Sequence, residues 1–334
     1  MILDTMKMGM MKIDMIQIGW RRAGMPIARA LVVSLLVLSA TACGEKPSTS
    51  DKPALSAEEA QYLSDENLWR IQRQEKLTQP DGWASLIGLH WLTLKSHYVG
   101  SSARSGIRIA MGPESLGMFT RDGQRVFFTP DRGVPLTLDG EPLKGRVELK
   151  DDSQGAASVV GFDEGKGKLT VIQRAGNRAL RVKHADAPTR TQFQTIEYWP
   201  PNRDWRIEAK FVPHPAGKTL PIATIIGTTD NTPNPGALEF QHKGKTIRIE
   251  ALDQGESTLS LIIADRTSGH ESYGAGRYLD VPRPDAQGKV VIDFNRAYNP
   301  PCAFTPFATC PLPPNENRLD LAITAGEKRY GVKH

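Results

Sequence analysis

The sequence predicts an all-β fold: two antiparallel β-sandwich or barrel-like domains preceded by one N-terminal helix. Three observations carry this reading. Short apolar runs alternate with polar residues at the period of a half-buried strand from about residue 86 to 323. Asp-Gly dipeptides of the kind two-residue hairpins prefer punctuate those runs. No strand–helix–strand rhythm interrupts them, which argues against the parallel-sheet cofactor folds.

Residues 1–42 read as a lipoprotein signal peptide. Arg21, Arg22 and Arg29 precede the uncharged run Ala30-Leu-Val-Val-Ser-Leu-Leu-Val-Leu-Ser-Ala-Thr-Ala42. That run is shorter than the ~20 residues a membrane-spanning helix needs, and it suits the apolar centre of an export signal. It ends in Ala40-Thr41-Ala42-Cys43-Gly44, which resembles the bacterial lipoprotein box, so Cys43 is the expected lipid attachment site. The alternative is an ordinary secretory signal cut after Ala42. Either Met1 or Met25 would serve as the start, because residues 1–24 add nothing that export requires. Gly44 is not the aspartate associated with inner-membrane retention, so a periplasm-facing outer-membrane lipoprotein is expected.

The leader also inflates the charge. Five of the 42 basic residues and two of the 37 acidic ones lie within residues 1–42. The remaining 37 and 35 leave a net of +2, against +5 for the whole chain. A nearly neutral mature chain has no electrostatic case for nucleic acid, which needs a concentrated basic face.

Residues 43–55 are polar and carry prolines, as a flexible tether from the lipid would. Residues 56–80 follow as a helix. Ser56-Ala-Glu-Glu59 is a capping box, and Pro80 stops the helix. Tyr62, Leu63, Leu68, Trp69 and Ile71 form a modest apolar stripe, expected to pack on the first β-domain. That domain spans residues 81–190, with turns at Asp122-Gly123 and Asp139-Gly140. The second spans 191–334. Ile207, Ala209 and Phe211 alternate with Arg206, Glu208 and Lys210, and Ile247/Ile249, Leu259/Leu261/Ile263 and Leu319/Leu321/Ile323 repeat the pattern.

Familiar catalytic and cofactor motifs fail on inspection. Gly244-Lys245-Thr246 looks like the tail of a phosphate-binding loop, but Glu239 stands where the upstream glycine should be and a strand follows. Gly274-Ala275-Gly276 lacks its third glycine, since Leu279 occupies that place. There is no Gly-x-Ser-x-Gly elbow and no His-Glu-x-x-His pair, and His270-Glu271 falls in a turn. No cofactor and no metal site is expected. The stretch before Glu148 resembles a forkhead-associated sandwich at Tyr98-Val-Gly100 and Leu138-Asp-Gly-Glu-Pro-Leu143. Ser101 follows Gly100 and the Ser-x-x-His turn is missing, so the resemblance implies architecture without phosphopeptide binding.

Residues 265–331 are unusual in composition. Six prolines (300, 301, 306, 311, 313 and 314) fall within loop 299–318, together with Cys302 and Cys310. Each proline whose dihedral suits the fold lowers the entropy lost on ordering the loop. In an exported protein the cysteine pair reads as a disulfide, with a metal pair or reactive thiol as the alternative. The rigid loop, carrying Phe304 and Phe307, either caps the end of a sheet or lids a pocket.

On the preceding strand Val290, Ile292 and Phe294 take one face, which puts Asp293 and Asn295 on the other. With Arg277, Asn299, Asn317, Arg318 and Glu327 they make the expected ligand-binding cluster, a concave site for a small polar ligand. Asp293 and Glu327 are the candidate general bases, and Arg277 would hold an anion. The structural alternative is a buried Arg277–Asp293 pair, with the asparagines satisfying loop backbone.

The strings Asp265-Arg-Thr-Ser-Gly-His-Glu-Ser-Tyr-Gly-Ala-Gly-Arg-Tyr-Leu279, Val291-Ile-Asp-Phe-Asn-Arg296 and Ala325-Gly-Glu-Lys328 resemble the domain-of-unknown-function family 1684 (DUF1684), a largely bacterial group. The resemblance extends back through Trp69-Arg70 and Gly82-Trp83 to Gly88-Leu-His-Trp-Leu92. It implies a shared fold and site and assigns no reaction. The leading functional expectation is an envelope lipoprotein that binds a small polar ligand or an envelope partner through its C-terminal domain. The alternatives are a carboxylate-dependent hydrolase or isomerase using the same cluster, and a structural envelope subunit.

Overall fold

Helix α1 (Ala57–Thr78) starts where Ser56 caps it, its hydroxyl accepting from the backbone N–H of Glu59 at 3.1 Å. It ends at Gln79, which turns extended (ψ 154°) ahead of Pro80. The computed structural model describes residues 55–331. The expected signal peptide, Cys43 and nearly all of the tether lie outside the described residues.

Beyond α1 the chain is built from strands. A six-stranded sheet has Leu86–Trp91 at one edge, then Asn177–His184, Gly167–Arg174, Val159–Phe162 and the small hairpin of residues 137–142. A five-stranded sheet faces it, built on Ser96–Gly100, Gly117–Asp122 and Arg125–Pro130. Leu169, Leu180 and Val182 of the first sheet interdigitate with Val99, Phe119 and Phe128 of the second, giving a sandwich core. The pairings are antiparallel except for a short parallel one between Ser96–Gly100 and Ile107–Arg108.

The second half has its own core. A four-stranded sheet ordered Lys245–Ala251, Gly236–His242, Arg206–Pro213, Lys289–Asp293 packs against the hairpin Thr258–Ile263/Arg277–Pro282. Leu238, Ile249, Leu261, Ile263, Ile292 and Phe294 are all buried there. A further hairpin, Thr219–Ala223/Thr229–Pro233, brings Leu220 and Ile222 onto Leu252 and Ile262. Residues 55–331 pack as one compact unit around these two cores.

The turn chemistry works as the dipeptides indicate. Gly123 at φ 58° opens the hairpin that pairs Asp122 with Arg125, and Asp139-Gly140 (φ 52° and 94°) closes the one that pairs Leu138 with Glu141. Lys243-Gly244 (φ 48° and 75°) is another such turn, between two antiparallel strands, and no helix follows it. One expected strand is absent. Residues 319–323 alternate in burial, yet they touch the sheet only through a bridge between Ala264 and Arg318 and bonds such as Leu319 N–H to the Ala264 carbonyl (2.7 Å). They run as an irregular border because they lie beyond the end of the strand they follow.

The docking of α1 corrects the sequence reading. Leu68 and Ile71 remain about half exposed, at 53% and 48%. The helix lies on the second half of the molecule through polar side chains. Tyr62 bonds Asp293, Glu66 pairs with Arg296, Arg70 donates to the Trp199 carbonyl and Arg73 pairs with Glu327. Leu77 alone supplies a fully buried apolar anchor, in a cluster with Ile196 and Phe304. A short apolar stripe on a mostly charged helix does not identify its partner surface. Here ion pairs and hydrogen bonds select it.

Candidate functional site

The residues expected to form one site are brought into three structural networks: Arg277 with Glu327 and Asn299, Asp293 with Asn295, and Asn317 apart from both. Arg277 is fully buried, and its partner is Asp265 (2.6 Å) instead of the expected Asp293. Its guanidinium also donates to the carbonyls of Ile323 (2.9 Å) and Ala325, so it ties the C-terminal border to the hairpin. Asp293 lies at the end of its strand and accepts from Tyr62 Oη (3.2 Å) and from the Asn295 backbone N–H (3.0 Å). Asn295 is buried beside it and bonds both backbone groups of Asn202.

Glu327 shares the network of Arg277, whose Nη1 donates to the Glu327 carbonyl at 3.4 Å. It is completely buried, and it accepts from Arg73 Nε at 3.0 Å and from the Asn299 backbone N–H at 2.7 Å. Gly326 before it sits at φ 81°, and a Cβ there would come within 2.4 Å of the Ala297 carbonyl, which accounts for glycine in Ala325-Gly-Glu-Lys328. Asn299 donates from Nδ2 to the Lys328 carbonyl (2.8 Å). Asn317 makes the third network: it accepts from the Glu250 N–H (2.7 Å) and donates to the carbonyls of Glu250 and Ile262, stapling two strands together. Arg318 is exposed and stands apart from the others. Asp293 and Glu327 therefore share no open cavity, and α1 covers both.

The proline loop does two jobs. Phe304 packs with Phe193 and Tyr330 (centroids 5.6 and 4.8 Å) and closes the hydrophobic cluster beneath the end of α1. Cys302 and Cys310 are adjacent thiols that no bond joins in this structure, with the Cys302 N–H donating to Cys310 Sγ at 3.1 Å. The sulfurs have polar neighbours instead. The Cys310 thiol, hydrogen-bonded to Cys302, holds the latter below the ordinary thiol range, and that contact together with burial pushes Cys310 up.

The far side of the loop walls a cleft of about 670 Å³. Pro301, Thr309, Cys310 and Pro311 form one wall, and α1 contributes Trp69, Arg73 and Lys76. The six-stranded sheet contributes Arg174 and Arg181 beneath Trp83. The opposite wall comes from the second half, through Ile222, Thr232, Ile262, Tyr278 and Tyr298. This volume lies within the range of about 300–1,000 Å³ typical of small-molecule sites. Tyr278 donates to the Pro311 carbonyl at 2.6 Å and Tyr298 to Asp280 at 3.0 Å, which fixes both rings. Burial pushes both phenols up, so they stay protonated donors. Among the described residues there is no group of three or more His, Cys, Asp and Glu placed to hold a metal ion.

None of the seven residues expected to bind ligand lines this cleft, although Cys310 does. The residues missed in sequence include Arg174, Arg181, Trp83 and Tyr278. In Asn177–His184, Arg181 and Lys183 alternate with buried Leu180 and Val182, which reads as an ordinary solvated face. The second half lies over that face, and nothing in the local pattern announces it.

Residues 191–328 match the family model described as protein of unknown function DUF1684. The chain is similar to an uncharacterised protein from Haloarcula marismortui solved by solution NMR, at 30% identity over 42% of this chain and 78% of that one, with a TM-score of 0.35. It is also similar to the N-terminal FHA domain of EssC, a component of the bacterial type VII secretion apparatus, at 15% identity over 29% of this chain and 46% of that one, with a TM-score of 0.23. At these TM-scores neither structure informs the architecture of the cleft. No curated protein matches the chain.

Proposed function

Residues 191–328 belong to the DUF1684 domain family, and from that premise we propose that the chain is a ligand-binding module of the bacterial envelope, anchored by lipid at Cys43. The ligand is a small molecule with polar and apolar parts, and it occupies the cleft between α1, the six-stranded sheet and the proline loop. The observation that carries this reading is the cleft itself: about 670 Å³ walled by four aromatic side chains, Trp69, Trp83, Tyr278 and Tyr298, with charged groups among them. Such a mixture orients a ligand while burying most of its surface. The polar cluster of Arg277, Asp293 and Glu327 serves the scaffold, since its members are already hydrogen-bonded within the fold.

The test is mass spectrometry of small molecules that co-purify with natively produced protein, compared with Thr232→Trp. Thr232 is half-buried in the cleft wall, and an indole there fills the space. A molecule retained by the parent and lost from the variant is expected. Identical profiles from the two proteins would remove the cleft as the binding site. The anchor is tested separately: Cys43→Ser should move the protein from the membrane to the soluble periplasmic fraction, and retention in the membrane would overturn it. Among the described residues no helix is long and apolar enough to cross a membrane.

A further inference from the structure

The charges that line the cleft are unevenly matched. Arg73, Lys76, Arg174 and Arg181 face Asp230, Glu256 and Asp280 across it. Two of the arginines are engaged elsewhere. Arg73 holds Glu327 and the Asn299 carbonyl, and Arg174 holds Asp152 at 2.7 Å and Thr309 Oγ1 at 3.2 Å. Lys183, the next cation on the same strand face as Arg181, donates to the Asp81 carbonyl.

Arg181 differs from all of these. It projects from the middle of Asn177–His184, between Leu89 and Thr170 on the flanking strands, and its guanidinium stands 5.2 Å from the centre of the Trp83 ring. Its Nε and Nη2 are buried and meet no hydrogen-bond partner among the described residues. These two nitrogens form one edge of the guanidinium, the side-on fork whose parallel N–H bonds match the two oxygens of a carboxylate. Arg70, Arg121 and Arg277 also leave a buried Nε unpaired, but each is held by another nitrogen: Arg70 and Arg121 on backbone carbonyls, Arg277 on Asp265. In Arg181 a whole recognition edge is idle; it is closed to solvent in this structure, on a side chain that lines a cleft with room for a ligand, so a ligand meets it once the side chain turns.

We propose that Arg181 is the anion-recognition residue of this cleft, and that the ligand is a small monocarboxylate whose apolar body lies among Trp83, Ile222, Ile262 and Tyr278. This rests on the binding reading above and names its ligand class. Two features favour a carboxylate over a dianionic phosphate. The idle edge offers two parallel donors, which a carboxylate saturates. Arg73 and Arg174 are already matched by Glu327 and Asp152, so Lys76 and Arg181 are the lining cations left to meet Asp230, Glu256 and Asp280. A second negative charge would stand unmatched in a cleft shared with Asp230, Glu256 and Asp280. The Trp83 face packs against the guanidinium from one side and favours its charged form.

The experiment is calorimetric titration of the full-length protein with matched pairs, phenylacetate against phenylacetamide and hexanoate against hexanamide, with phenyl phosphate as the dianionic probe. At least one acid is expected to bind tenfold or more tighter than its amide. The preference should fall to near unity in Arg181→Gln and persist in part in Arg181→Lys, with circular dichroism and Tm showing both variants folded. If acid and amide bind equally and Thr232→Trp abolishes both, the cleft stands and the carboxylate assignment falls. An acid preference that survives Arg181→Gln would place the anion elsewhere and overturn the inference. Tighter binding of phenyl phosphate than of phenylacetate would overturn the monoanion assignment, and no saturable binding by any acid in the panel would overturn the inference outright.

Discussion

Two arginines withdrawn from water, Arg277 and Arg181, stand at opposite ends of a scale of satisfaction. Arg277 gives its terminal nitrogens to a carboxylate and to the carbonyls of Ile323 and Ala325, in a place no small molecule can enter. Arg181 keeps two buried nitrogens idle beside a cavity. Folding selects strongly against buried unpaired donors, so an arginine with both terminal nitrogens paired and only Nε left over is the signature of scaffold. An unsaturated one beside open volume is the signature of a site awaiting its partner.

The largest expected effect lies at the saturated end. Arg277→Met strips a buried Asp265 of its counter-charge and leaves several carbonyls unpaired. The loss should be about 3–5 kcal/mol of unfolding free energy in urea titrations. A loss below about 1 kcal/mol would mean that Arg277 is not structural, and the contrast would collapse. Arg73→Ala comes next, because it leaves Glu327 buried and loosens the helix from the second half. About 2–3 kcal/mol is expected, together with faster proteolytic cleavage within Ala57–Thr78 than in the parent. Unchanged cleavage would show that Leu77 and the other polar contacts hold the helix by themselves.

Closing a bond between Cys302 and Cys310 with a mild oxidant should rank third. The short loop between them gives about 2–3 kcal/mol in the chain-entropy view, read as a rise in urea midpoint that dithiothreitol reverses. Loss of two alkylatable thiols without any stabilisation would mean that the bridge strains the proline loop. Arg181→Met, fourth, carries the opposite sign. Removing an unpaired buried cation should leave the protein as stable as the parent or more stable by about 1 kcal/mol. A marked loss would reveal a structural role for Arg181 and weaken its assignment to a ligand.

How much of this was legible in the chain follows from the range of the interactions. The strand alternation at Ile207–Phe211 and the Asp-Gly turns are local, so the all-β class and its hairpins could be read directly. The cap at Ser56 and the stop at Pro80 are local for the same reason. The polar string from Arg277 to Glu327 was visible as unusual, but its pairing was not. Asp265 lies 12 residues before Arg277, and Arg73 lies 254 before Glu327, and no pattern couples positions so far apart. The cleft was invisible because a layer from the second half converts the apparently solvated face of Arg181 into a wall. Leu319 to Ile323 misled in the other direction: burial alternates there without the strand partner that alternation implies.

The smallest effect comes from Glu66, in the helix seam. Its side chain is fully buried, and only one carboxylate oxygen has a partner, Arg296 Nε at 2.6 Å. Burial raises its pKa above the ordinary 4.5, and the Arg296 contact only partly opposes this. A carboxyl whose folded-state pKa is raised holds its proton more tightly folded than unfolded. Its contribution to stability is therefore complete below pH 4.5 and is lost as pH rises through the folded value. Glu66→Gln removes that titration, so the variant should gain on the parent between pH 4 and pH 7. Arg296 is 40% exposed, which screens the pair and keeps the gain under about 1 kcal/mol. Paired urea titrations at the two pH values measure it. A variant that instead loses ground as pH rises would show the Arg296 pair outweighing desolvation, and the seam would then be held by charge more firmly than its half-satisfied carboxylate implies.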